Sequence, residues 1–157
     1  MSDVSLIDRI KYQLFFLWKI PLIFFARPKI IKLNKEQVQI LIPFRRRSKN
    51  HINSMYFGAL LIGADLAAGL MAMTQTTGNK QKVVPVFKSV KGDFLRRVEG
   101  DALFTCDAGK QAKEMIEECI RSGERVTQDI AVHVTSPRQS DEVLATFTLA
   151  LSVKVKK

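Results

Sequence analysis

The fold expected of this chain depends most on NHINSMYFGALLIGADLAAGLMAM, residues 50–73. The stretch is rich in alanine, glycine and large apolar residues, and Asp65 is the only formally charged residue between positions 50 and 79. A helix that is apolar on nearly all sides must be covered on nearly all sides. In a bilayer its central carboxylate would cost about 3 kcal/mol. We therefore predict a helix buried in a protein core, and no transmembrane segment.

The composition is that of a globular domain with a strong positive charge. Hydrophobic residues make up 46% of the 157 residues and charged residues 25%. The net charge of +10 suggests an anionic partner, either nucleic acid, a membrane surface or a phosphate-bearing small molecule. No nucleic-acid-binding motif is present, so we expect no nucleic acid. The two cysteines and two histidines lack metal-site spacing. We therefore expect no metal site, and because two cysteines are too few for a disulfide framework, we expect a cytoplasmic location.

The N-terminal part has its own helical pattern. Residues 4–20, VSLIDRIKYQLFFLWKI, place apolar side chains at helical spacing and end before Pro21. We predict an amphipathic helix that packs on the domain or on a partner, with membrane attachment as the alternative. The predicted division is a helical extension at residues 1–34 and a main domain at residues 35–157.

Most of the remaining chain alternates between apolar and polar residues, as strands do. Residues 83–90 and 93–98 form either one bent strand or a short hairpin around Lys91 and Gly92. Residues 110–123 form a short amphipathic helix. The other predicted strands lie at residues 36–44, 101–108, 124–135 and 142–155. Short connections predict a largely antiparallel sheet, and hence an α+β fold with the sheet curved around the long helix.

This order of elements resembles the hotdog fold. Within it, the residues resemble the small acyl-coenzyme A thioesterases of the phenylacetate-pathway type, and a branch that carries an extra aromatic N-terminal helix. The resemblance covers residues 38–155 in architecture and residues 50–65 in motif. It implies hydrolysis of an acyl thioester without a cofactor, by a homodimer or a tetramer.

The motif can be placed residue by residue. In the resembling thioesterases an Asn precedes a His-Gly-Gly turn, and an acidic residue follows one helical stretch later. With Asp65 at the acidic position, Asn50 takes the Asn position. Tyr56, Phe57 and Gly58 then take the His-Gly-Gly positions, so only the second glycine is kept. The resemblance implies that the backbone N–H of Phe57 is the oxyanion donor.

The predicted catalytic residues are Asp65, Phe57 and Gly58. A helix start offers unpaired N–H groups and partial positive charge to a thioester carbonyl. Asp65 lies nearly two turns beyond Gly58, on the same helix face. A carboxylate with apolar neighbours should have a raised pKa, which suits a base that activates water, although direct attack is also open. The alternative for Asp65 is a structural role, either capping backbone or pairing with an Arg across a dimer.

The predicted substrate-binding residues are Asn50, Tyr56, Ser89, Arg46 and Arg47. Ser89 is the nearest counterpart of a polar residue that the resembling family supplies from the neighbouring subunit. The run at residues 45–47 is either a clamp for coenzyme A phosphates or a solvated loop, and Arg96 and Arg97 have the same two interpretations. Asn50 either binds substrate or folds its own loop as an Asx turn.

Two functions follow as hypotheses. The first is a thioesterase acting on an acyl-coenzyme A. The second is a hotdog domain that binds acyl ligands without turnover, because the His and the first Gly of the motif are replaced by Tyr56 and Phe57.

Overall fold

The computed structural model describes residues 4–156 as one six-stranded antiparallel sheet packed around a long helix. The helices are α1 (Leu6–Lys19), α2 (Pro21–Ala26), α3 (Phe57–Thr76) and α4 (Gly109–Ser122), with a single 3-10 turn at Arg46–Ser48. The strands are β1 (Lys29–Leu33), β2 (Val38–Ile42), β3 (Val83–Phe94), β4 (Ala102–Cys106), β5 (Val126–Ser136) and β6 (Ser140–Val155). Their order in the sheet is β1-β2-β4-β5-β6-β3. The predicted α+β architecture is confirmed.

Helix α3 is the core helix, and small residues bring it close to the sheet. A Cβ added to Gly63 would lie 2.3 Å from the ring of Phe104, which is itself fully buried. Ala64, Ala67 and Ala68 are also completely buried. Within residues 4–156 α3 is the only helix long and apolar enough to cross a membrane, and more than half of it is buried inside the domain. Its apolar composition is therefore accounted for by packing against the sheet.

One strip of α3 is not covered by any of the residues that the structure describes. Phe57, Asp65 and Met73 are exposed along this strip, and Leu61 and Gly69 between them are half-buried. Each member is four residues from the next, so the strip runs along the helix and winds around it by about 40° at each step. Asp65 therefore lies on the open face of an otherwise buried helix.

Strand β3 is long, continuous and at the edge of the sheet. It runs through Lys91 and Gly92 without turning and pairs with β6 on both sides of one irregularity, so the single strand, and not the hairpin, is the correct alternative. The register shifts between Phe87 and Val90. The ring of Phe147 packs over Gly92, where an added Cβ would be 2.7 Å away. Among residues 4–156, only one side of β3 is paired with another strand.

The N-terminal segment contributes both helices and a strand. Helix α2 ends at Arg27, which has the left-handed φ of 53°. The chain then enters β1, which pairs with β2 at the opposite edge of the sheet from β3. The range 1–34, predicted as a helical extension, thus also contains one strand of the main sheet. Helix α1 is held by Phe16, which is buried, and by Gln13 Nε2, which donates to the carbonyl of Pro28 at 2.7 Å.

Candidate active site

The loop before α3 is folded by the side chain of Asn50. Its Oδ1 accepts hydrogen bonds from the backbone N–H groups of Ile52 and Ser54, both at 3.1 Å. Its Nδ2 donates to Ser54 Oγ at 3.0 Å. This is an Asx turn, one of the two roles considered for Asn50. The second N–H of the amide has no acceptor among residues 4–156 and can still meet a ligand.

The two ends of this loop are fastened to the rest of the domain. The N–H of Met55 donates to the carbonyl of Val98 at 2.7 Å, and the N–H of Tyr56 donates to that of Ser48 at 2.8 Å. Asn53 has a left-handed φ of 59°, a conformation that Asn tolerates well. These hydrogen bonds therefore fix the position at which α3 begins.

The start of α3 presents two free backbone donors. No side chain caps the helix at Tyr56. The carbonyl of Tyr56 accepts from the N–H groups of Ala59 and Leu60 at 2.9 and 3.2 Å, within the first turn. The N–H groups of Phe57 and Gly58 have no acceptor in the described part of the chain. Such groups carry the partial positive charge of a helix start and can bind a carbonyl oxygen or an anion.

Two aromatic rings stand where the resembling thioesterases have His-Gly. The rings of Tyr56 and Phe57 are 4.9 Å apart at an interplanar angle of 58°, and about half of each side chain is exposed. The Tyr56 ring lies over Gly58, so closely that a Cβ there would be 2.4 Å from Tyr56 Cε1. Gly58 is thus the residue that lets this ring pack on the helix start.

A cleft of about 490 Å³ opens beside the helix start. One wall is the Asn50 loop with the first turn of α3, and the other is the segment that follows β3. Its lining residues are Asn50, His51, Ser54, Met55, Tyr56, Phe57, Leu60, Phe94, Leu95, Arg96, Arg97 and Val98. The structure therefore brings together Asn50, Tyr56 and Phe57, whereas Gly58 is not among the lining residues. Of the second wall, Arg96 and Arg97 were considered as a phosphate clamp from the sequence, and Phe94, Leu95 and Val98 were not assigned to the site.

That second wall is held to the sheet and is positively charged. The N–H groups of Leu95 and Arg96 both donate to the carbonyl of Leu144, at 2.9 and 3.0 Å. Arg96 pairs with Glu142 at 2.5 Å, and Arg97 lies 3.8 Å from the carboxylate of Glu99. Each guanidinium is well exposed and keeps donors for a ligand.

Asp65 does not line this cleft. It lies seven residues beyond Gly58 on the same face of α3, which is about 10 Å along the helix axis. Partial burial raises the pKa of its carboxyl above the ordinary value. Within residues 4–156 the carboxylate has no hydrogen-bond or ion-pair partner, so nothing in the chain supports a capping role. Pairing with an Arg across a dimer stays a prediction.

The other predicted binding residues lie elsewhere in the chain. Ser89 is exposed at the register shift of β3. Arg46 and Arg47 line a second cleft, of about 520 Å³, next to the end of α2. The guanidinium of Arg47 sits 5.1 Å from the centre of the Phe25 ring and donates to the Phe25 carbonyl at 3.2 Å. Within one chain these residues are therefore not part of the cleft at the helix start.

A family model described as a domain of unknown function, DUF4442, matches residues 11–153. The chain belongs to the DUF4442 family. The matched range contains the Asn50 loop, all of α3 and both walls of the cleft, so the whole candidate site lies inside the family domain. No curated protein is significantly similar to the chain in sequence.

Solved structures show which fold the DUF4442 chain has. A Pseudomonas aeruginosa protein of unknown function, described as a probable thioesterase, has a TM-score of 0.78 at 20% identity, covering 94% of this chain and 96% of its own. A Chlorobaculum tepidum protein of unknown function has a TM-score of 0.81 at 14% identity, covering 95% of each chain. A Haemophilus influenzae thioesterase has a TM-score of 0.63 at 11% identity, covering 90% of this chain and 88% of its own. The DUF4442 chain therefore has the thioesterase-like hotdog fold, as predicted.

The cysteines of the DUF4442 chain offer no alternative nucleophile. Cys106 and Cys119 are both buried, and burial raises the pKa of the Cys106 thiol to about 11. A thiol with such a pKa carries almost no thiolate at neutral pH. No group of three or more His, Cys, Asp or Glu side chains that could hold a metal lies in the part of the chain described.

Proposed function

We propose that this protein hydrolyses an acyl thioester, with an acyl-coenzyme A as the substrate class, at the start of α3. The observation that carries this proposal is the pair of backbone N–H groups at Phe57 and Gly58, which have no acceptor in the described chain. Phe57 lines the cleft, and Gly58 is the next residue of the helix. These donors would bind the thioester carbonyl oxygen and stabilise the negative charge that develops on it.

Asp65 would act on the carbonyl carbon. Its carboxylate takes a proton from water, whose oxygen attacks the carbon, or it attacks that carbon directly. When water attacks, the tetrahedral intermediate expels the coenzyme A thiolate, which takes the proton held by Asp65 and leaves as the thiol beside the free acid. When Asp65 attacks, the thiolate leaves with a proton from water, and water then hydrolyses the mixed anhydride on Asp65 to the free acid and the regenerated carboxylate. The raised pKa of Asp65 strengthens it as a base. No step requires a cofactor or a metal.

Within one chain, Asp65 is too far from the helix start to act there, so we infer that two copies form the site. Gly58 and Asp65 are about 10 Å apart along the helix, whereas a base must lie within about 3 Å of the proton that it removes. We therefore propose a homodimer in which Asp65 of one copy faces the helix start of the other. The open strip of α3, on which Phe57 and Asp65 both lie, is the surface that such an arrangement would cover.

The edge strand β3 supports the same assembly. Val84, Val86 and Val90 are exposed on this long strand, and one of its edges has no partner strand in the described part of the chain. Edge strands of this length and character pair readily with another copy. A second copy at this edge would also bring Ser89 into the interface.

Coenzyme A would be recognised by its phosphates at the mouth of the cleft. Arg96 and Arg97 line the cleft and have the donor geometry that phosphates require. The unused N–H of the Asn50 amide would donate to the pantetheine or acyl part of the substrate.

The second candidate function is binding of an acyl-coenzyme A without turnover. The observation that favours it is the Tyr56 and Phe57 pair, since both rings stand at the helix start, beside the donors that a thioester must reach. A bound acyl chain would then pack on the rings while the carbonyl stays away from the two N–H groups.

One experiment separates these functions. Purified protein is assayed against acyl-coenzyme A substrates of increasing chain length, with release of free thiol as the readout, and thermal shifts are recorded with each ligand. Asp65→Asn should lose hydrolysis of the best substrate by about a hundredfold or more while keeping its thermal stability. Asp129→Asn, an exposed carboxylate on β5, is the matched control and should keep full activity. Ligand-induced stabilisation with no hydrolysis by the wild type would establish the binding function instead.

A further inference from the structure

Helix α1 presents its apolar side away from the domain. Phe16 is its only buried residue. At about 100° per residue, Leu14 and Trp18 each point about 160° away from Phe16, and only about 40° from one another. Trp18 is 81% exposed. A helix that merely covered a core would place these residues inward.

The apolar surface continues onto α2. Leu22 and Phe25 are 65% and 56% exposed there. Residues 6–25 contain ten of the twenty exposed large hydrophobic side chains in the described chain. A patch this concentrated on a folded domain indicates an interaction site.

A basic cleft adjoins this apolar patch. Five cationic side chains line the cleft next to the end of α2, and its lining contains no acidic residue: Arg27, Lys29, Arg45, Arg46 and Arg47. None of the five forms a salt bridge within residues 4–156. The contact of Arg47 with the ring and carbonyl of Phe25 joins the apolar patch to the cleft. We call the exposed apolar side chains of residues 6–25 together with this cleft the N-terminal docking surface.

We propose that the N-terminal docking surface binds an anionic phospholipid membrane. The apolar side chains of α1 and α2 enter the boundary between headgroups and acyl chains, as those of interfacial amphipathic helices do. Trp18 lies at the level of the headgroups, which tryptophan prefers. Arg46 and Arg47 donate to the lipid phosphates, for which the guanidinium fork is well suited.

Charge selects the membrane over a second copy of this chain. Every copy carries the same basic cleft, so two copies meeting at this surface would bring its five cationic side chains close to those of the other copy. An anionic bilayer supplies the opposite charge and an apolar layer in one surface. Binding there leaves the cleft at the start of α3 free, so the inference does not depend on the proposed hydrolysis.

Trp18 provides a direct reporter because it is the only tryptophan of the protein. The full chain is mixed with vesicles of phosphatidylcholine alone, or of phosphatidylcholine with about one-third phosphatidylglycerol. We expect co-sedimentation and a blue shift of Trp18 fluorescence with the anionic vesicles, both reduced by high salt. Failure to sediment with anionic vesicles at low salt would overturn the proposal, as would binding without any change at Trp18.

Two sets of variants test the two halves of the surface. The double variant Arg46→Glu with Arg47→Glu should weaken vesicle binding by about tenfold or more. The control, Lys110→Glu with Lys113→Glu on exposed positions of α4, has the same change in net charge and should retain binding. If the two double variants lose vesicle binding equally, binding depends on net charge alone, and the proposal of a specific membrane-binding surface is wrong.

The apolar half is tested with Leu14→Gln and Leu22→Gln, which alter exposed residues and should leave the fold intact by circular dichroism. We expect weaker vesicle binding at an unchanged sedimentation coefficient. If these changes instead reduce self-association and leave vesicle binding as it was, the surface binds a second copy and the proposal is wrong.

Discussion

The ring of Tyr56 lies over Gly58, so that a methyl group added to Gly58 would be 2.4 Å from Tyr56 Cε1. This contact ties the first of the two aromatic rings to the helix start whose N–H groups are free. The ring is half exposed and can move outward. A change at Gly58 should therefore affect the shape of the cleft more than the stability of the fold.

We expect Gly58→Ala to displace the Tyr56 ring into the cleft. The free energy of unfolding should change by less than about 1 kcal/mol, because the gain in helix propensity offsets the local contact. Hydrolysis or binding of acyl-coenzyme A should fall by about tenfold. The double variant Tyr56→Ala with Gly58→Ala should recover much of this loss, since the clashing ring is gone. A double variant as impaired as Gly58→Ala alone would show that the contact is not the cause.

Gly63 should behave differently, because its neighbour cannot move away. Its added Cβ would meet the fully buried ring of Phe104 at 2.3 Å. Gly63→Ala should destabilise the protein by about 1–3 kcal/mol, as overpacked cores do. Gly69→Ala in the same helix is the control, because its Cβ would lie 3.9 Å from the Phe87 ring, an ordinary contact. Urea denaturation should show Gly69→Ala to be neutral or stabilised by up to about 1 kcal/mol; the reverse order would refute this account of the packing.

Much of this fold could be predicted from the sequence, because a buried face makes apolar residues recur at the spacing of a helix or a strand. The apolar run of α3 and the alternation along β5 and β6 follow directly from which faces are covered. Strand β1 could not be predicted from the sequence, because its five residues do not show the apolar–polar alternation that marks a strand. It becomes a strand only through pairing with β2 after the left-handed turn at Arg27.

The candidate site was predictable only where the residues are close in sequence. Asn50 and the helix start belong to one loop, so their proximity could be inferred. Arg46 and Arg47 are nearly as close in sequence, but the 3-10 turn directs them to α2. That turn depends on Ser48 Oγ, which donates to the carbonyl of Pro43 at 2.7 Å. Arg96 and Arg97 could be considered as phosphate ligands from their charge, but their position beside the helix start comes from tertiary packing, which a sequence pattern does not encode.

The proposed dimer predicts a linked loss of assembly and activity. Val86→Lys together with Val90→Lys places two charges on the free edge strand, which discourages pairing with another strand. We expect a monomer by analytical ultracentrifugation, with hydrolysis lost because Asp65 no longer faces a helix start. Val143→Lys, an exposed valine on β6, should leave the assembly intact. An active monomer would contradict the shared site.

Cys106 should resist thiol reagents in the folded protein. Its pKa is raised to about 11 by burial, so the thiolate population near pH 8 is very small. We expect negligible reaction with a disulfide reagent under native conditions, and reaction of both cysteines after denaturation. Rapid labelling of Cys106 in the native protein would show that β4 opens locally. The same property keeps the protein's own thiols from contributing to a thiol-release assay.

The pH dependence of protein stability should reveal the raised pKa of the Asp65 carboxyl. Because burial raises its folded pKa above the ordinary value of 3.8, the folded state holds the proton more tightly than the unfolded state. Stability from this group is therefore fully present below the ordinary pKa and is lost as the pH rises through the folded value. Relative to Asp65→Asn, the wild type should gain stability as the pH is lowered through that window, in urea midpoints measured at each pH. The exposed control Asp129→Asn should not reproduce this difference. A wild type that loses stability relative to Asp65→Asn on acidification would mean that a partner group lowers the pKa of Asp65 in the assembled protein, as pairing with an Arg across the dimer would.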